Sequence, residues 1–260
     1  MGQGIPILMY HSISHERDTS VHPYYETHTS PKTFASQMSL LVDEGYRVLN
    51  LRATATLLKS GEKIPQKTVA LTFDDGFEDF YSNAFPVLAS HGFPSTVFLP
   101  TAYVEKQNNF FKGKKCLSWG QVIELNGQGV HFGSHTDTHP QLLALSFGDA
   151  RRELQESKEK IEEKLGKEVD CFSYPYAFPE HRHDFVRKLE KFLKAAGYRC
   201  GVTTKIGLSD KKENSLFLKR IPANEHDDPE FFLAKLEGCY DWVHHLQSVF
   251  KHARKHLNCR

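Results

Sequence analysis

The feature that most constrains the fold is a regular alternation of short β-type runs with helical patterns along nearly the whole chain. The apolar runs that predict strands are Ile5–Tyr10, Arg47–Leu51, Val69–Phe73, Ser95–Pro100, Val130–Gly133, Cys171–Tyr176 and Arg199–Thr204. The patterns that predict helices are a run from Pro31 onward, Ala53–Ser60, Phe77–His91, Trp119–Asn126, Phe147–Leu165 and Asp184–Ala196. This alternation predicts an α/β protein whose parallel sheet carries its helices outside, either as a barrel or as an open sheet.

The chain is expected to form one domain over residues 1–260. Its 260 residues are a typical length for a (β/α) barrel. It contains no Gly/Ser linker, no break in composition and no repeat of fixed period. The C-terminal part, about residues 228–260, is predicted to be helical and to pack on this domain. The polar segment Glu105–Lys115 is predicted to be a loop on one rim.

The charge balance excludes a chain-wide field for binding polyanions. Lysine and arginine number 33 against 32 aspartates and glutamates, which leaves a formal net charge of +1. Nucleic-acid binding draws most of its affinity from neutralised phosphates, so we expect no nucleic-acid partner.

Cysteine usage and the N-terminal sequence predict a cytoplasmic protein. The five cysteines are odd in number and form no Cys-x-x-Cys, which argues against a disulfide framework and against a cysteine-rich zinc module. The apolar run Ile5–Tyr10 is too short for a signal peptide or a membrane span. The basic residues near the C-terminus are interpreted as part of a packed helix rather than as a membrane contact.

Histidine spacing suggests a metal site but does not decide which histidines form it. With 15 histidines, chance gives about one pair four residues apart, and the sequence has four such pairs. His252 and His256 lie on the predicted C-terminal helix and are interpreted as solvated positions. His135 and His139 instead follow the predicted strand Val130–Gly133, at the edge where binding loops collect in α/β proteins.

A pair of adjacent carboxylates marks the end of another predicted strand. Asp74 and Asp75 follow the apolar run Val69–Phe73 and precede Gly76. A simple Asp-Gly hairpin turn is disfavoured because a helical pattern follows instead of a partner strand. Neighbouring carboxylates repel each other unless a cation or a proton lies between them. One carboxylate and two imidazoles would supply three metal ligands and leave positions open for water and substrate.

These residues resemble the motifs of a known family. Thr72–Gly76 (TFDDG) followed by His135–Pro140 (HTDTHP) is similar to the first two motifs of the NodB-like polysaccharide deacetylases, carbohydrate esterase family 4. Phe172–Tyr176 (FSYPY) is similar to the third motif, and the resemblance runs from about residue 5 to residue 225. It implies a distorted, incomplete (β/α) barrel of about seven parallel strands with outer helices and a metal-dependent de-N-acetylase site.

The resemblance assigns roles to the residues of the motifs. Asp75, His135 and His139 would bind the metal, and Asp74 would be the general base. The backbone N–H of Tyr176 would stabilise the oxyanion. Zinc is preferred for this ligand set, and nickel, cobalt and iron also suit it.

Further positions come from the same resemblance. In the branch similar to biofilm poly-N-acetylglucosamine deacetylases, the catalytic acid is a histidine of the N-terminal strand, which here is His11. The resemblance also implies a set of substrate-binding positions, which are Trp119, Tyr174, Pro175 and Arg220.

Three features depart from the pattern of the family. Ser173 stands where the third motif usually begins with an arginine, so the charge that steadies the base is missing there. Arg220 either replaces that arginine or is an ordinary structural residue. Ala177 replaces the usual glycine after Tyr176, and no convincing fourth motif is found.

The expected function is removal of an N-acetyl group from an amino sugar of a polysaccharide or its precursor. The implied context is surface-polysaccharide or O-antigen assembly. Three alternatives stay open: a deformylase acting on an amino sugar, an allantoinase-like amidohydrolase, and a catalytically weak homologue that binds glycan.

Overall fold

Parallel strands close on one another to form a barrel with helices around it. The structure is a computed structural model that describes residues 4–16, 27–104 and 109–239. In chain order the strands are β1 (Ile7–Tyr10), β2 (Ser12–Ile13), β3 (His28–Thr29), β4 (Arg47–Leu49), β5 (Thr68–Phe73), β6 (Thr96–Leu99), β7 (Phe110–Phe111), β8 (Lys114–Lys115), β9 (His131–Ser134), β10 (Cys171–Ser173), β11 (Cys200–Ile206) and β12 (Leu218–Pro222).

The helices alternate with these strands. They are α1 (Pro31–Asp43), α2 (Leu51–Lys59), α3 (Phe85–Ser90), α4 (Trp119–Gly127), α5 (Phe147–Leu165), α6 (His183–Ala195) and α7 (Pro229–Leu236). Within the described ranges, no helix has the length and apolar character that a membrane crossing needs. Residues 240–260, which include His252, His256 and most of the predicted C-terminal helical segment, lie outside the described residues.

The ring runs in the order β1, β12, β11, β10, β9, β6, β5 and closes where β5 pairs with β1. At the closure Ile7 lies opposite Ala70 and Tyr10 lies opposite Phe73, and the strands are parallel. The predicted fold class, an α/β barrel of about seven parallel strands, is therefore confirmed.

One member of the ring differs from the prediction. β4 pairs with β5 at Thr68–Ala70 but is not part of the ring. One edge of β5 pairs with β1. The other edge pairs with β4 at its first residues and with β6 at its last residues. The remaining ring strand is β12, which the sequence analysis missed because Lys219 and Arg220 interrupt its apolar pattern.

Two predicted helix starts are confirmed by their capping hydrogen bonds. The Ser30 side chain accepts a hydrogen bond from the backbone N–H of Thr33 at the start of α1. The Asp228 side chain does the same for Phe231 at the start of α7. A proline follows each cap, at a position where a missing N–H costs no helical hydrogen bond.

The predicted helix Phe77–His91 is shorter and less regular than expected. A π-helical turn covers Phe80–Ala84, and α3 follows it directly. Pro86 has no N–H to donate to the carbonyl of Ser82, so a regular α-helical pattern cannot continue through this point.

The predicted strand Cys171–Tyr176 ends at Ser173. Pro175 cannot donate a backbone hydrogen bond, and Tyr176 has a positive φ of 58° that no strand residue adopts. Residues 174–176 are therefore a loop at the carboxyl end of β10.

Part of the predicted rim loop is a β-hairpin. Phe110 pairs with Lys115 in antiparallel β7 and β8. Lys112 and Gly113 form the turn, with φ values of 52° and 76°, as two-residue hairpin turns of this hand require. Residues 105–108 of the predicted loop lie outside the described residues.

Buried aromatic rings fix the ends of two strands that lead into the site. The Tyr10 ring stacks on Phe73 with centroids 5.3 Å apart, and Phe73 meets Phe80 edge-on at 4.8 Å. Aromatic pairs at such distances stabilise a core beyond the area they bury. His11 and Asp74 directly follow these anchored strand ends.

Candidate active site

The carboxyl ends of the barrel strands bring most of the predicted site residues to one rim. His11 follows β1, Asp74 and Asp75 follow β5, and His135 follows β9. The side chain of Arg220 reaches the same place from β12. Parallel strands of a barrel direct their carboxyl ends to one face, so residues far apart in sequence meet there.

Asp75, His135 and His139 form a cluster that can hold a metal ion. Their ligand atoms all lie within 4.8 Å of one another. Oδ1 of Asp75 is 3.3 Å from Nε2 of His139 and 3.6 Å from Nε2 of His135. This oxygen is buried without a hydrogen-bond partner among the described residues, which is rare for a buried polar atom. A cation bound by the three atoms would satisfy it, so the residues fit a divalent metal.

A hydrogen bond fixes the orientation of the His135 ring. Its Nδ1–H donates to the backbone oxygen of Ser173 at 2.8 Å, which leaves the lone pair on Nε2. Hydrogen bonds of this kind fix the tautomer of metal-binding histidines. Burial lowers the pKa of His135 to about 4, so the imidazole is neutral near pH 7, as a metal ligand must be.

The loops that carry Asp75 and His139 have uncommon backbone conformations. Asp75 and His139 have φ values of 69° and 56°, a region that is unfavourable for residues with a side chain and frequent at functional sites. Gly76 follows with a φ of 57°, and a Cβ there would lie 2.7 Å from Cδ2 of Leu99. A glycine at this position therefore lets the Asp-Asp turn pack against β6.

Arg220 holds Asp74 as a buried carboxylate. Nη1 and Nη2 of Arg220 donate to Oδ1 and Oδ2 of Asp74 at 2.8 and 2.6 Å. Oγ of Ser173 donates to Oδ1 at 3.1 Å. Burial on its own raises the pKa of Asp74, but Arg220 and His135 outweigh it and keep that pKa below its usual range. Arg220 thus brings to Asp74 the positive charge that Ser173 cannot supply.

His11 lies beside Asp74. Its Nε2 is 3.9 Å from Oδ2 of Asp74, and its side chain keeps 16% of its surface exposed. Burial lowers the pKa of His11, and the carboxylates of Asp75 and Asp74 oppose that effect. A titratable imidazole therefore lies next to the predicted base and within reach of solvent.

Tyr176 lies at the edge of the cluster formed by Asp75, His135 and His139. Its ring is exposed and packs edge-on against His139, with centroids 4.7 Å apart. The backbone oxygen of Tyr176 accepts a hydrogen bond from Oγ1 of Thr204 at 3.0 Å. The structure therefore brings this predicted residue to the cluster.

The residues predicted to bind substrate are buried in this structure. Arg220 is only 1% exposed and its guanidinium bonds Asp74. The Tyr174 ring packs against Phe178 with centroids 5.0 Å apart. Trp119 and Pro175 are also buried. A role of these four residues in substrate binding stays a prediction.

The β7–β8 hairpin contributes a residue that the sequence analysis did not identify. Nζ of Lys112 donates to Oδ2 of Asp75 at 2.9 Å. The neighbouring Phe111 ring packs on His139 with centroids 4.9 Å apart. The Lys-Gly pair indicates a tight turn, but no local pattern tells which surface a hairpin covers.

Comparison with known proteins identifies the family. Residues 61–201, more than half of the chain, match the family model described as polysaccharide deacetylase. The chain belongs to the polysaccharide deacetylase family. The matched range includes Asp74, Asp75, His135 and His139 but ends before Arg220, so the residue that holds Asp74 lies beyond it.

Two curated relatives of this deacetylase match most of its length. YxkH of Bacillus subtilis strain 168, a polysaccharide deacetylase homologue, is 30% identical over 237 residues, which are 90% of this chain and 76% of that protein. The poly-β-1,6-N-acetyl-D-glucosamine N-deacetylase of Staphylococcus aureus strain MSSA476 is 25% identical over 221 residues, which are 82% of this chain and 73% of that protein.

Solved structures share the fold. The deacetylase PplD of Streptococcus pyogenes, in complex with acetate, superposes with a TM-score of 0.79 at 27% identity and covers 91% of this chain and 99% of its own. IcaB from Ammonifex degensii superposes with a TM-score of 0.74 at 23% identity and covers 92% and 99%. The second likeness concerns the fold alone.

Proposed function

We propose that this polysaccharide deacetylase is a metal-dependent hydrolase that removes the N-acetyl group from an amino sugar of a polysaccharide or its precursor. The observation that carries the proposal is Oδ1 of Asp75, which has no hydrogen-bond partner among the described residues and faces Nε2 of His135 and of His139 beside the charged Asp74. The staphylococcal relative is named for removal of N-acetyl groups from poly-β-1,6-N-acetyl-D-glucosamine, which supports the substrate class.

Asp75, His135 and His139 would hold the metal ion. We propose zinc because two imidazoles and one carboxylate with open positions are typical of catalytic zinc sites. Nickel, cobalt and iron accept the same donors. A divalent ion bound here would lower the pKa of water and polarise the oxygen of an amide carbonyl.

Asp74 is the proposed general base. It is deprotonated because Arg220 keeps its pKa low, and the two hydrogen bonds from Arg220 fix the plane of the carboxylate. A fixed carboxylate can accept the proton of an attacking water when that water lies within hydrogen-bond distance. Asp74 would thus take up the proton that is released as the amide carbonyl is attacked.

His11 is the proposed general acid. Cleavage of the amide C–N bond requires a proton on the leaving amine, and His11 is the titratable group beside the base. The carboxylates of Asp75 and Asp74 favour its protonated form against the effect of burial.

Tyr176 supplies the proposed oxyanion contact through its backbone N–H. The hydrogen bond from Thr204 to the Tyr176 oxygen supports this turn of the chain, in which Tyr176 has a positive φ of 58°. A preorganised N–H stabilises charge that develops on a carbonyl oxygen.

Acetate release tests the proposal. We expect the zinc-loaded protein to release acetate from oligomers of N-acetylglucosamine, to lose this activity on chelation and to regain it when metal is restored. Formate release from an N-formyl amino sugar, with no acetate from its N-acetyl analogue, would favour the deformylase. Ring opening of a cyclic amide would favour the allantoinase-like alternative, and glycan binding without turnover would favour the weak homologue.

The cellular context is a separate proposal. We propose a cytoplasmic role in assembly of a surface polysaccharide such as an O-antigen, because the cysteine usage is typical of a reducing compartment. Cell fractionation tests it, and recovery of the protein outside the cytoplasm would contradict it.

A further inference from the structure

We propose that Lys112 acts as a counter-ion within the metal site and weakens the affinity of that site for divalent cations. The inference rests on the proposed function because it concerns Asp75 as a metal ligand. The supporting observations are the position of the Lys112 ammonium group and the contacts that anchor the β7–β8 hairpin.

The two oxygens of Asp75 have different surroundings. Oδ1 faces His135 and His139 and has no hydrogen-bond partner among the described residues. Oδ2 accepts a hydrogen bond from Nζ of Lys112 at 2.9 Å. Oδ1 of Asp75 is therefore available to a metal ion, whereas the hydrogen bond from Lys112 to Oδ2 disfavours coordination by both oxygens.

The hairpin is fastened to the site at several points. Nζ of Lys114 donates to Oγ of Ser12 at 2.9 Å and to Oγ of Ser14 at 3.0 Å, in the segment after β1. The backbone N–H of Glu78 donates to the oxygen of Lys115 at 2.8 Å. These bonds tie β8, the strand that follows the turn, to the segments that carry His11 and Asp75.

Aromatic packing supports the same placement. The Phe111 ring packs on Tyr103 and on His139, with centroids 4.5 and 4.9 Å apart. Nζ of Lys112 lies 4.7 Å from the centre of the Phe111 ring, a favourable position for a cation. The ammonium is therefore held over the cluster although the Lys112 side chain is 45% exposed.

Formal charges give the direction of the effect. Asp74 is balanced by Arg220 and Asp75 is balanced by Lys112. A divalent ion would share the Asp75 carboxylate with a lysine ammonium, and like charges at this range repel. Removal of Lys112 would leave one formal negative charge to attract the ion.

Metal titration of the metal-free protein tests the inference, with zinc and then nickel against a chromophoric chelator. We expect Lys112→Met to bind zinc about 3- to 30-fold more tightly than the wild type, with a difference that shrinks as salt rises. Lys112→Arg keeps the charge and should resemble the wild type. Lys115→Met removes an equal charge from the adjoining strand and should change nothing.

The outcomes separate this inference from the proposed function. Zinc affinity that is unchanged or weaker in Lys112→Met, in a protein whose wild type binds zinc, overturns the inference alone. A wild-type protein that binds no divalent ion contradicts the proposed function and this inference together. Circular dichroism of each variant establishes that it is folded.

A second inference comes from the opposite end of the barrel. Cys171 begins β10 and Cys200 begins β11, and the two residues lie directly opposite each other. Their Sγ atoms are 2.8 Å apart and both side chains are buried. The geometry points to a disulfide site, at which an oxidant such as hydrogen peroxide crosslinks two neighbouring barrel strands.

The reaction requires only these two thiols and the oxidant. The thiolate of one cysteine attacks the peroxide, which gives a sulfenic acid and water. The second sulfur then attacks the sulfenic sulfur, so that an S–S bond forms and a second water leaves. Asp170 also lies beside the pair, and its Oδ2 accepts a hydrogen bond from Nε of Arg52 at 2.7 Å.

Mass spectrometry of peroxide-treated protein tests this crosslink. We expect a loss of two hydrogens and a peptide that joins Cys171 to Cys200, absent in Cys171→Ser and retained in Cys239→Ser. A hydrogen bond with Cys200, together with burial, raises the pKa of the Cys171 thiol, so the crosslink should form faster at higher pH. A pair that stays reduced while Cys239 is oxidised would overturn the inference.

Discussion

Asp74 and Asp227 are buried aspartates that each have a cationic partner, and of these two only Asp74 has the geometry proposed for a general base. Asp74 accepts two parallel hydrogen bonds from Arg220, at 2.8 and 2.6 Å. Asp227 accepts one from Lys235 at 2.6 Å, and the same ammonium donates to the backbone oxygen of Pro222 at 2.7 Å. The second pair fastens α7 to the end of β12, whereas the first orients a carboxylate at the site.

The electrostatics of the two pairs also differ. Burial raises the pKa of both carboxyl groups, but Arg220 and His135 outweigh it at Asp74. At Asp227 burial prevails over Lys235, and the pKa stays above its usual value. A guanidinium matches both oxygens of a carboxylate, whereas an ammonium acts as a point charge. A buried partner of opposite charge is therefore not sufficient to keep a carboxylate deprotonated as a base. The geometry of the hydrogen bonds between the two groups determines whether it does.

The largest expected effect is the loss of turnover in Asp74→Asn. The amide cannot accept a proton from water, so we expect kcat to fall by at least about 10³-fold while zinc affinity is retained. Acetate release and zinc titration measure the two quantities, with Asp227→Asn as the matched control. An Asp74→Asn variant that keeps a tenth of the activity would remove Asp74 from the mechanism.

Truncation of the two cations should separate stability from activity. Arg220→Met and Lys235→Met each leave a buried carboxylate without its partner, so we expect each to lower the free energy of unfolding by about 3–5 kcal/mol. Only Arg220→Met should also reduce kcat per folded molecule. Urea unfolding and acetate release measure both, and an equal loss of kcat in Lys235→Met would show that the two pairs do not differ as argued.

Removal of both partners should cost less than removal of one. In Asp227→Asn combined with Lys235→Met no buried charge is left uncompensated, so we expect the double variant to be at least about 1 kcal/mol more stable than Lys235→Met. Urea unfolding of the variants gives the coupling. Additive losses would mean that Asp227 and Lys235 do not act as a pair.

The smallest expected effect is on the pH dependence of stability. Unfolded aspartates titrate near about 3.9, and folded Asp227 keeps its proton to higher pH. The folded state therefore binds more protons in this window, so Asp227 makes stability fall as pH rises from about 4. Between about pH 4 and 6, the free energy of unfolding should fall less steeply with pH in Asp227→Asn than in the wild type. An unchanged pH profile would contradict the raised pKa of Asp227.

The sequence predicted the parts of the site that lie in short contiguous motifs. Asp74, Asp75, His135 and His139 follow strands whose apolar runs are plain, and parallel strands bring such ends together. The barrel class followed from strand–helix alternation and from the family resemblance. The structure brings His11 beside Asp74, and its role as the acid stays a prediction.

Features that depend on long-range packing were missed or left open. β12 carries Lys219 and Arg220, so its pattern does not indicate a strand, and the partner of Arg220 is 146 residues away at Asp74. The position of Lys112 depends on where the hairpin docks. The directions of the Tyr174 and Trp119 side chains depend on packing in the core, which a motif does not encode.

The most direct test of the central claim is anomalous diffraction from crystals of the zinc-loaded protein. The account predicts one ion at about 2.0–2.2 Å from Nε2 of His135, Nε2 of His139 and Oδ1 of Asp75. It also predicts that Oδ2 of Asp75 is not a ligand. An anomalous peak beside Cys171 and Cys200, with none between Asp75 and the two histidines, would contradict the account.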